Sequence, residues 1–318
     1  MMKKLTRAET ASYLLSHDNY VILTHVRPDG DTVGSAAALC LGLRQLGKTA
    51  HVLKNPGVTP RYAWLHEGLT TEEVYAQDTV VSTDVASPGM LPEGFQYLLP
   101  RVALRIDHHG SATSFSDLEL VDPDSASCAE VVWDVLEILG VRPQGNILDA
   151  VYVGLSTDTG CFRFANTTAH TFHVAEVCAR GGARVYELNQ ALFETNTLGK
   201  LKMQAWIVEN LRLLSGGTMA ICAIPKTVEE TLGVSSDDMD NISNFPRTVA
   251  GVNIAATIRE AENGKVKLSV RAVPGYDATV IAECFGGGGH KGAAGGTMEM
   301  TLDQAVSAVE KVMLETCL

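Results

Sequence analysis

The sequence predicts an α/β protein with an N-terminal unit on a parallel sheet, helices covering both faces, and a helical linker to a smaller C-terminal α+β unit. Three observations lead there. The first half alternates short β-branched runs with longer amphipathic patterns, polar side chains gather where those runs end, and the C-terminal third reads as a hairpin-bearing sheet closed by one helix. At roughly 100–200 residues per domain, 318 residues suffice for two cores.

The run over 20–24 reads as the first strand, the pattern over 32–46 as a helix closed by Gly47, and 50–53 as the next strand. That order is a βαβ unit, which implies a parallel sheet. Two further strands, over 79–82 and 102–106, run into Asp84 and into Asp107-His108-His109, and the patterns over 128–139 and 147–155 read as amphipathic helices. Ligands bind past the carboxyl ends of strands in open α/β sheets, so this gathering of polar residues marks a site. The stretch from 168 to 214 is mostly helical, with Asn166 or Thr167 as N-cap, Gly181-Gly182 as a break and Ser215-Gly216-Gly217 as its end. Domains are expected at 1–195 and 216–318, with the linker over 196–215. The C-terminal unit reads as strands over 219–224, 252–259 and 266–270, a hairpin turn at Asn263-Gly264, and a last helix over 302–314.

Charge narrows the partners. With 25 Lys+Arg against 37 Asp+Glu, a net charge of −12, the chain lacks the broad basic face that a long duplex requires, whereas a short phosphorylated substrate in a local site remains compatible. The seven cysteines are scattered without a Cys-x-x-Cys pair, which points to a reducing cytoplasm and not to a disulfide framework or zinc ribbon. Residues 1–12 carry two lysines but no apolar segment of a secretory signal, and no run approaches the about 18 apolar residues of a membrane span.

Several segments carry residues capable of chemistry. In His25-Val-Arg-Pro-Asp29-Gly-Asp31, Pro28 and Gly30 force a tight turn that can aim one imidazole and two carboxylates at a point above the sheet; the alternative is an Asp-rich turn with Asp31 as cap. Asp107-His108-His109 offers metal ligands or proton carriers, the alternative being two histidines exposed in a loop. Asp84 and Asp158, taken singly, also fit turn or cap positions. Adjacent histidines point in different directions, so together these segments supply two ligand histidines, His25 and one of His108 and His109, and the carboxylates Asp29, Asp31, Asp84 and Asp158, a set too acidic to bury without cations. Oxygen-rich, thiolate-free donors favour a hard or borderline divalent ion such as Mn²⁺, and six donors favour two ions sharing a carboxylate, roughly 3.5–4 Å apart, suited to in-line phosphoryl displacement. In the C-terminal unit, the run Phe-Gly-Gly-Gly-Gly-His290-Lys291 reads as backbone amides able to surround an anion, or as a flexible glycine hinge. Arg271 ends a strand and is either a phosphate fork or a solvated edge residue.

His25-x-x-Pro-Asp29-Gly-Asp31, Asp84, Asp107-His108-His109 and Asp158, then Arg271 and Gly287-Gly288-Gly289-His290-x-x-Ala-Ala-Gly, resemble in order the motifs of DHH phosphoesterases carrying a DHHA1 domain, over about residues 20–297. The resemblance is to the nanoRNase/pAp phosphatase branch. It implies one Mn²⁺ on His25, Asp29 and Asp84, a second on Asp31, Asp84, His108 and Asp158, and water activated between them as nucleophile. It further implies that Asp107 orients a ligand histidine, that His109 lies near the reacting phosphate, and that Arg271, His290 and Gly287, Gly288 and Gly289 hold the substrate's terminal phosphate. A homodimer is also implied. Arg27 departs from the pattern, where a small polar residue such as Asn is expected, and has no assigned role.

The activity expected from this resemblance is Mn²⁺-dependent hydrolysis of 5'-phosphorylated oligoribonucleotides of two to five nucleotides, including linear dinucleotides such as pApA, and of pAp to AMP. Cyclic dinucleotide turnover is related, and pyrophosphate or polyphosphate hydrolysis is the alternative enzyme class. A processive exonuclease of the RecJ type needs further binding domains. A non-catalytic nucleotide sensor is disfavoured because every expected metal ligand is present. Phe245, Tyr276 and Phe285 are candidates for base stacking, or are core residues.

Overall fold

Tyr20 and Ile22 point into one hydrophobic cluster while Val21 and Leu23 point into another, so the first long strand is buried on both faces. The structure, a computed structural model, describes residues 2–110, 113–235, 238–239, 242–261 and 264–316. It divides into two compact units, Met1–Thr195 and Asn196–Leu318.

In the first unit the strands are β1 (Lys3–Lys4), β2 (Tyr20–Leu23), β3 (Ala50–Leu53), β4 (Thr70–Thr71), β5 (Thr79–Thr83), β6 (Val102–Asp107) and β7 (Leu118–Val121). They form one sheet in the order β1-β7-β6-β5-β2-β3-β4, and every pairing is parallel. The α-helices are α1 (Arg7–Ser16), α2 (Gly30–Gln45), α3 (Pro60–Ala63), α4 (Cys128–Ile138), α5 (Asn146–Asp158), α6 (Ala169–Arg180) and α7 (Val185–Asn189). One face of the sheet packs against α2, α4 and α5 through Val33, Leu39, Val132, Trp133 and Val151. The other face is covered by the 3-10 segments Pro88–Met90 and Glu93–Arg101, with Leu91 and Leu98 buried against Val80 and Val102.

The second unit holds α8 (Leu198–Asn210), β8 (Arg212–Leu214), β9 (Met219–Ile224), α9 (Lys226–Leu232), β10 (Ile254–Glu260), β11 (Val266–Ala272), α10 (Ala278–Glu283), β12 (Gly288–His290), β13 (Ala293–Met298) and α11 (Leu302–Thr316). Its sheet runs β12-β13-β11-β10-β9-β8, parallel between β9 and β10 and antiparallel elsewhere. Helices α10 and α11 seal one face through Ile281, Val309 and Met313. Met203 and Ile207 of α8 pack with Cys222 and Ile224, so the helix expected as a linker is part of this unit's core.

Several local expectations are corrected. The N-cap of α6 is Thr168, in a capping box with Thr171, and not Asn166 or Thr167; Asn166 instead donates to the Ala126 and Asp158 carbonyls. Asn263 of the expected turn lies outside the described residues, and Gly264 has the left-handed φ of 69° that such a turn uses. The glycine run is not a flexible hinge, because Gly288–His290 pair antiparallel with Ala293–Gly295. Phe245, Tyr276 and Phe285 pack against the second unit's hydrophobic clusters. Among the described residues, no helix is long and apolar enough to cross a membrane.

Candidate metal centre

Three strand ends and two helix ends converge on the carboxyl edge of the first sheet. The chain leaves β2 through Thr24 and His25 and enters α2 at Gly30, with Asp29 as N-cap accepting from the Thr32 amide at 3.0 Å. The cap is therefore Asp29, and Asp31 lies inside the first helical turn. Asn55 braces the loop, its Nδ2 donating to Thr24 Oγ1 (2.9 Å) and the His25 carbonyl (2.8 Å). Asp84 follows β5 with a left-handed φ of 57°, a conformation that aspartate tolerates better than most residues. Thr32 Oγ1 lies within hydrogen-bond distance of both Asp84 Oδ2 (2.6 Å) and Asp29 Oδ1 (3.0 Å), its one proton serving either, and so links the two turns. Asp158 is the last residue of α5.

Among the described residues, three groups of side chains bring potential ligand atoms within 4.8 Å of one another: His25, Asp29 and Asp84; Asp31, His108 and Asp158; and Asp84, His108 and His109. His108 Nε2 lies 3.5 Å from Asp158 Oδ2 and 3.8 Å from both Asp31 Oδ2 and Asp84 Oδ1, while His25 Nε2 lies 3.8 Å from Asp84 Oδ2. These separations exceed a hydrogen bond. Two bonds of roughly 2.0–2.2 Å to one ion span up to about 4.4 Å, so the spacing fits an ion between the donors.

The electrostatics point the same way. Burial and neighbouring carboxylates push Asp84 and Asp158 well above the usual carboxylate range, and burial raises Asp31 to about 6. Asp84 Oδ1 is buried without a hydrogen-bond partner. A cation relieves both the repulsion and the orphaned oxygen, so the donor set fits divalent metal. Asp31 is fixed from behind, its two oxygens accepting from the Cys128 (2.7 Å) and Ala129 (2.8 Å) amides at the N-terminus of α4.

The two histidines of the central motif are held differently. His108 Nδ1 sits 3.3 Å from the Ser125 carbonyl, which can only accept, so Nδ1 carries the proton and Nε2 is left facing the carboxylates. Asp107 Oδ1 accepts from the His108 amide (2.7 Å), the His109 amide (3.2 Å) and His109 Nδ1 (2.8 Å), so the ring that Asp107 orients is that of His109. Burial opposes ionisation of Asp107, but the His109 hydrogen bond and the Arg105 charge outweigh it and hold the carboxyl below its usual range.

Sequence reasoning missed Thr32, which nothing distinguishes from a helix-start residue, and Arg105. Arg105 is buried in β6, donates to the Thr113 carbonyl at 2.9 Å and lies 3.4 Å from Glu119, which in turn accepts from Ser114 Oγ and the Phe115 amide. The pair ties down the stretch Thr113 to Phe115. A charged residue in the middle of an aliphatic strand was the available signal.

In the second unit, Arg271 and His290 both stand in register with Ala293, on strands to either side of it. Register partners share a face, so their side chains emerge from the same face about 10 Å apart. Arg271 Nε donates to Asn244 Oδ1 at 2.5 Å, so the side chain is anchored; burial and the nearby Arg247 charge lower its pKa. The glycines serve the hairpin as well: a Cβ on Gly287 would stand 2.3 Å from the Gly295 carbonyl oxygen, and one on Gly289 2.6 Å from that of Ala293. Gly288 meets nothing within 4 Å.

A parallel sheet with an acidic, histidine-bearing carboxyl edge, followed by a sheet unit with a glycine hairpin, is the arrangement of one phosphoesterase class. Residues 19–155 match the N-terminal domain of the DHH family and residues 219–315 match the DHHA1 domain, and the chain belongs to the DHH family. It is 34% identical over 307 residues to the bifunctional oligoribonuclease and PAP phosphatase NrnA of Thermus thermophilus, covering 92% of this chain and 89% of that one. The protein of the same name from Bacillus subtilis is 24% identical over 286 residues, covering 89% and 90%. Among solved structures, an exopolyphosphatase-related protein from Bacteroides fragilis has the same fold, with a TM-score of 0.83 at 21% identity over 97% and 96% of the two chains. RecJ from Thermus thermophilus in complex with Mn²⁺ matches at a TM-score of 0.55 and 14% identity, over 96% of this chain and 53% of that one.

Proposed function

We propose that the protein is a Mn²⁺-dependent phosphoesterase that hydrolyses short 5'-phosphorylated oligoribonucleotides to mononucleotides and dephosphorylates pAp. The observation that carries this reading is the sharing of Asp84 between two ligand groups, His25-Asp29-Asp84 and Asp84-His108-His109, with Asp31-His108-Asp158 alongside. The relatives named as oligoribonuclease and PAP phosphatase, aligned over about nine-tenths of the chain, supply the substrate class.

In this reading His25, Asp29 and Asp84 hold one ion and Asp31, Asp84, His108 and Asp158 a second. Divalent ions in such a site supply water activation and neutralisation of phosphoryl charge. The chain's own residues do the rest. Thr32 keeps Asp84 and Asp29 aligned through its hydroxyl. His109, with Nδ1 held by Asp107, lies near the reacting phosphate in this reading. Arg271, His290 and the backbone of Gly287, Gly288 and Gly289 bind the terminal phosphate, supported by their common face and by the free space at Gly288. The six described cysteines are free, which suits the reducing cytoplasm.

The test is reconstitution of metal-stripped protein with Mn²⁺, counting bound ions per chain while following mononucleotide release from a 5'-phosphorylated RNA dinucleotide. Two ions per chain with restored hydrolysis is the expected result. Full activity with one ion overturns the shared-carboxylate arrangement.

A further inference from the structure

Two residues after Asp158 the backbone turns left-handed three times in succession, at Gly160 (φ 57°), Cys161 (φ 59°) and Phe162 (φ 61°). One such residue is an ordinary helix C-cap. Two further non-glycine residues in that region cost on the order of 1–3 kcal/mol each and persist only where the surroundings impose them. Here they do: the Cys161 amide donates to the Ser156 carbonyl (2.6 Å), the Arg163 and Phe164 amides to the Thr159 carbonyl (3.0 and 2.9 Å), and Asn166 returns to the Asp158 carbonyl (3.2 Å).

The turn gives its two neighbouring aromatic rings different surroundings. Phe162 packs inward, 5.9 Å from Tyr152 and 5.6 Å from Phe172, against the first unit's core. Phe164 stays 39% exposed, and the end of its ring occupies the place where a Cβ on residue 160 would stand, 2.3 Å from Cζ. Gly160 is thus required twice, for its φ and for room, and what it makes room for is the partly exposed ring of Phe164, six residues after Asp158.

We infer that Phe164 is a base-stacking platform that selects nucleotide substrates at the metal centre. The inference rests on the proposed function and adds to it the group that reads the nucleoside. The strained turn packs the ring against Gly160, two residues along from the Asp158 that would hold the metal, and a nucleotide bound there would lay its base on this ring. Stacking on one aromatic ring accepts any base, which suits a hydrolase of mixed short RNA.

The experiment compares kcat/KM of the Mn²⁺-loaded protein for a 5'-phosphorylated RNA dinucleotide with that for the same dinucleotide carrying an abasic ribose at each position in turn. In Phe164→Ala and Phe164→Leu the preference for the base-bearing substrate at one position should fall about tenfold, mainly through KM, while Phe164→Trp retains it. The leucine variant keeps an apolar side chain against Gly160 and so guards against a collapsed loop. An unchanged preference in both variants, or an equal loss on all substrates, overturns the inference; so does a fall in Mn²⁺ affinity in Phe164→Leu, which would mean that the ring serves only to hold Asp158. Failure of the underlying reading has a separate signature, a wild-type protein that leaves the dinucleotide intact with Mn²⁺ present.

Discussion

Gly34 and Ala150 face each other so closely that a Cβ on residue 34 would stand 2.4 Å from the Ala150 carbonyl oxygen. Gly34 lies one turn into α2, and Ala150 lies in α5, the helix that ends at Asp158. Gly154, further along α5, has no more room: its Cβ would meet Ala129 at 2.3 Å and Asp31 Oδ1 at 2.8 Å. These contacts let α2 and α5 approach at backbone distance, which brings Asp31 and Asp158 to the same histidine.

Gly34→Ala tests that packing. In an exposed helix the change would stabilise by about 1 kcal/mol. At this contact the obstacle is backbone that cannot rotate away, so we expect a net loss of about 1–3 kcal/mol together with weaker metal binding. Thermal unfolding with and without Mn²⁺ measures both, and a variant more stable than the parent would show that the helices part freely.

Asp84→Asn keeps a residue that tolerates the left-handed backbone while removing the shared negative charge. Hydrolysis should fall by more than the roughly 10–100-fold typical of residues that only support a ligand. Stability of the metal-free chain at neutral pH should hold or rise, because burial and the neighbouring carboxylates disfavour ionised Asp84. Near-parental rates would remove Asp84 from the centre.

Protons and metal compete for the same carboxyls. Asp31 is raised to about 6, so at pH 5 it holds a proton that a cation must displace, and Asp84 and Asp158 are shifted in the same direction by burial and neighbouring carboxylates. Apparent Mn²⁺ affinity should therefore climb steeply from pH 5 to 7, measured by titration at fixed ionic strength. The sign is reversed for the metal-free chain: with folded-state pKa values above the unfolded ones, it loses stability as pH rises from about 4 through about 6. A flat affinity profile would contradict the crowding of these groups.

His66 gives the opposite pH response. Buried under α2 with Nε2 3.1 Å from the Val33 carbonyl, it is pushed down from 6.5 to about 4, chiefly by burial. Its folded-state pKa is lowered, so its contribution is complete above pH 6.5 and is lost as pH falls toward 4, by on the order of 3 kcal/mol. His66→Gln, which can still donate to Val33, should shrink the acid-induced loss of stability over that window relative to the parent. Identical pH profiles for the two proteins would mean that His66 does not carry it.

Much of the candidate centre was legible because each of its donor residues sits where a β-branched run or amphipathic pattern gives way to a polar turn, and such punctuation is local. The strands β2, β3, β5 and β6 announced themselves by short runs rich in aliphatic and β-branched residues. Lys3–Lys4, Thr70–Thr71 and Leu118–Val121 did not, because two to four residues carry no periodicity and form strands only by pairing with neighbours already in place. Gly288–His290 and Ala293–Met298 were hidden for a related reason: glycine and alanine are poor strand formers, and their role comes from close approach across the hairpin. The helix Leu198–Asn210 reads as a connector from its position along the chain, yet Met203 and Ile207 are fully buried. The left-handed turn at Gly160–Phe162 was beyond reach, since Cys161 and Phe162 are residue types that ordinarily avoid it.

The central claim is that two ligand groups sharing Asp84 make this chain a hydrolase of short 5'-phosphorylated RNA. The measurement that tests it most directly is hydrolysis by the metal-stripped protein, restored with Mn²⁺, of a 5'-phosphorylated RNA dinucleotide, pAp and pyrophosphate in parallel, with Asp84→Asn as control. The account predicts mononucleotide release from the dinucleotide and AMP from pAp, both abolished in Asp84→Asn, with pyrophosphate untouched. Turnover of pyrophosphate alone would contradict it.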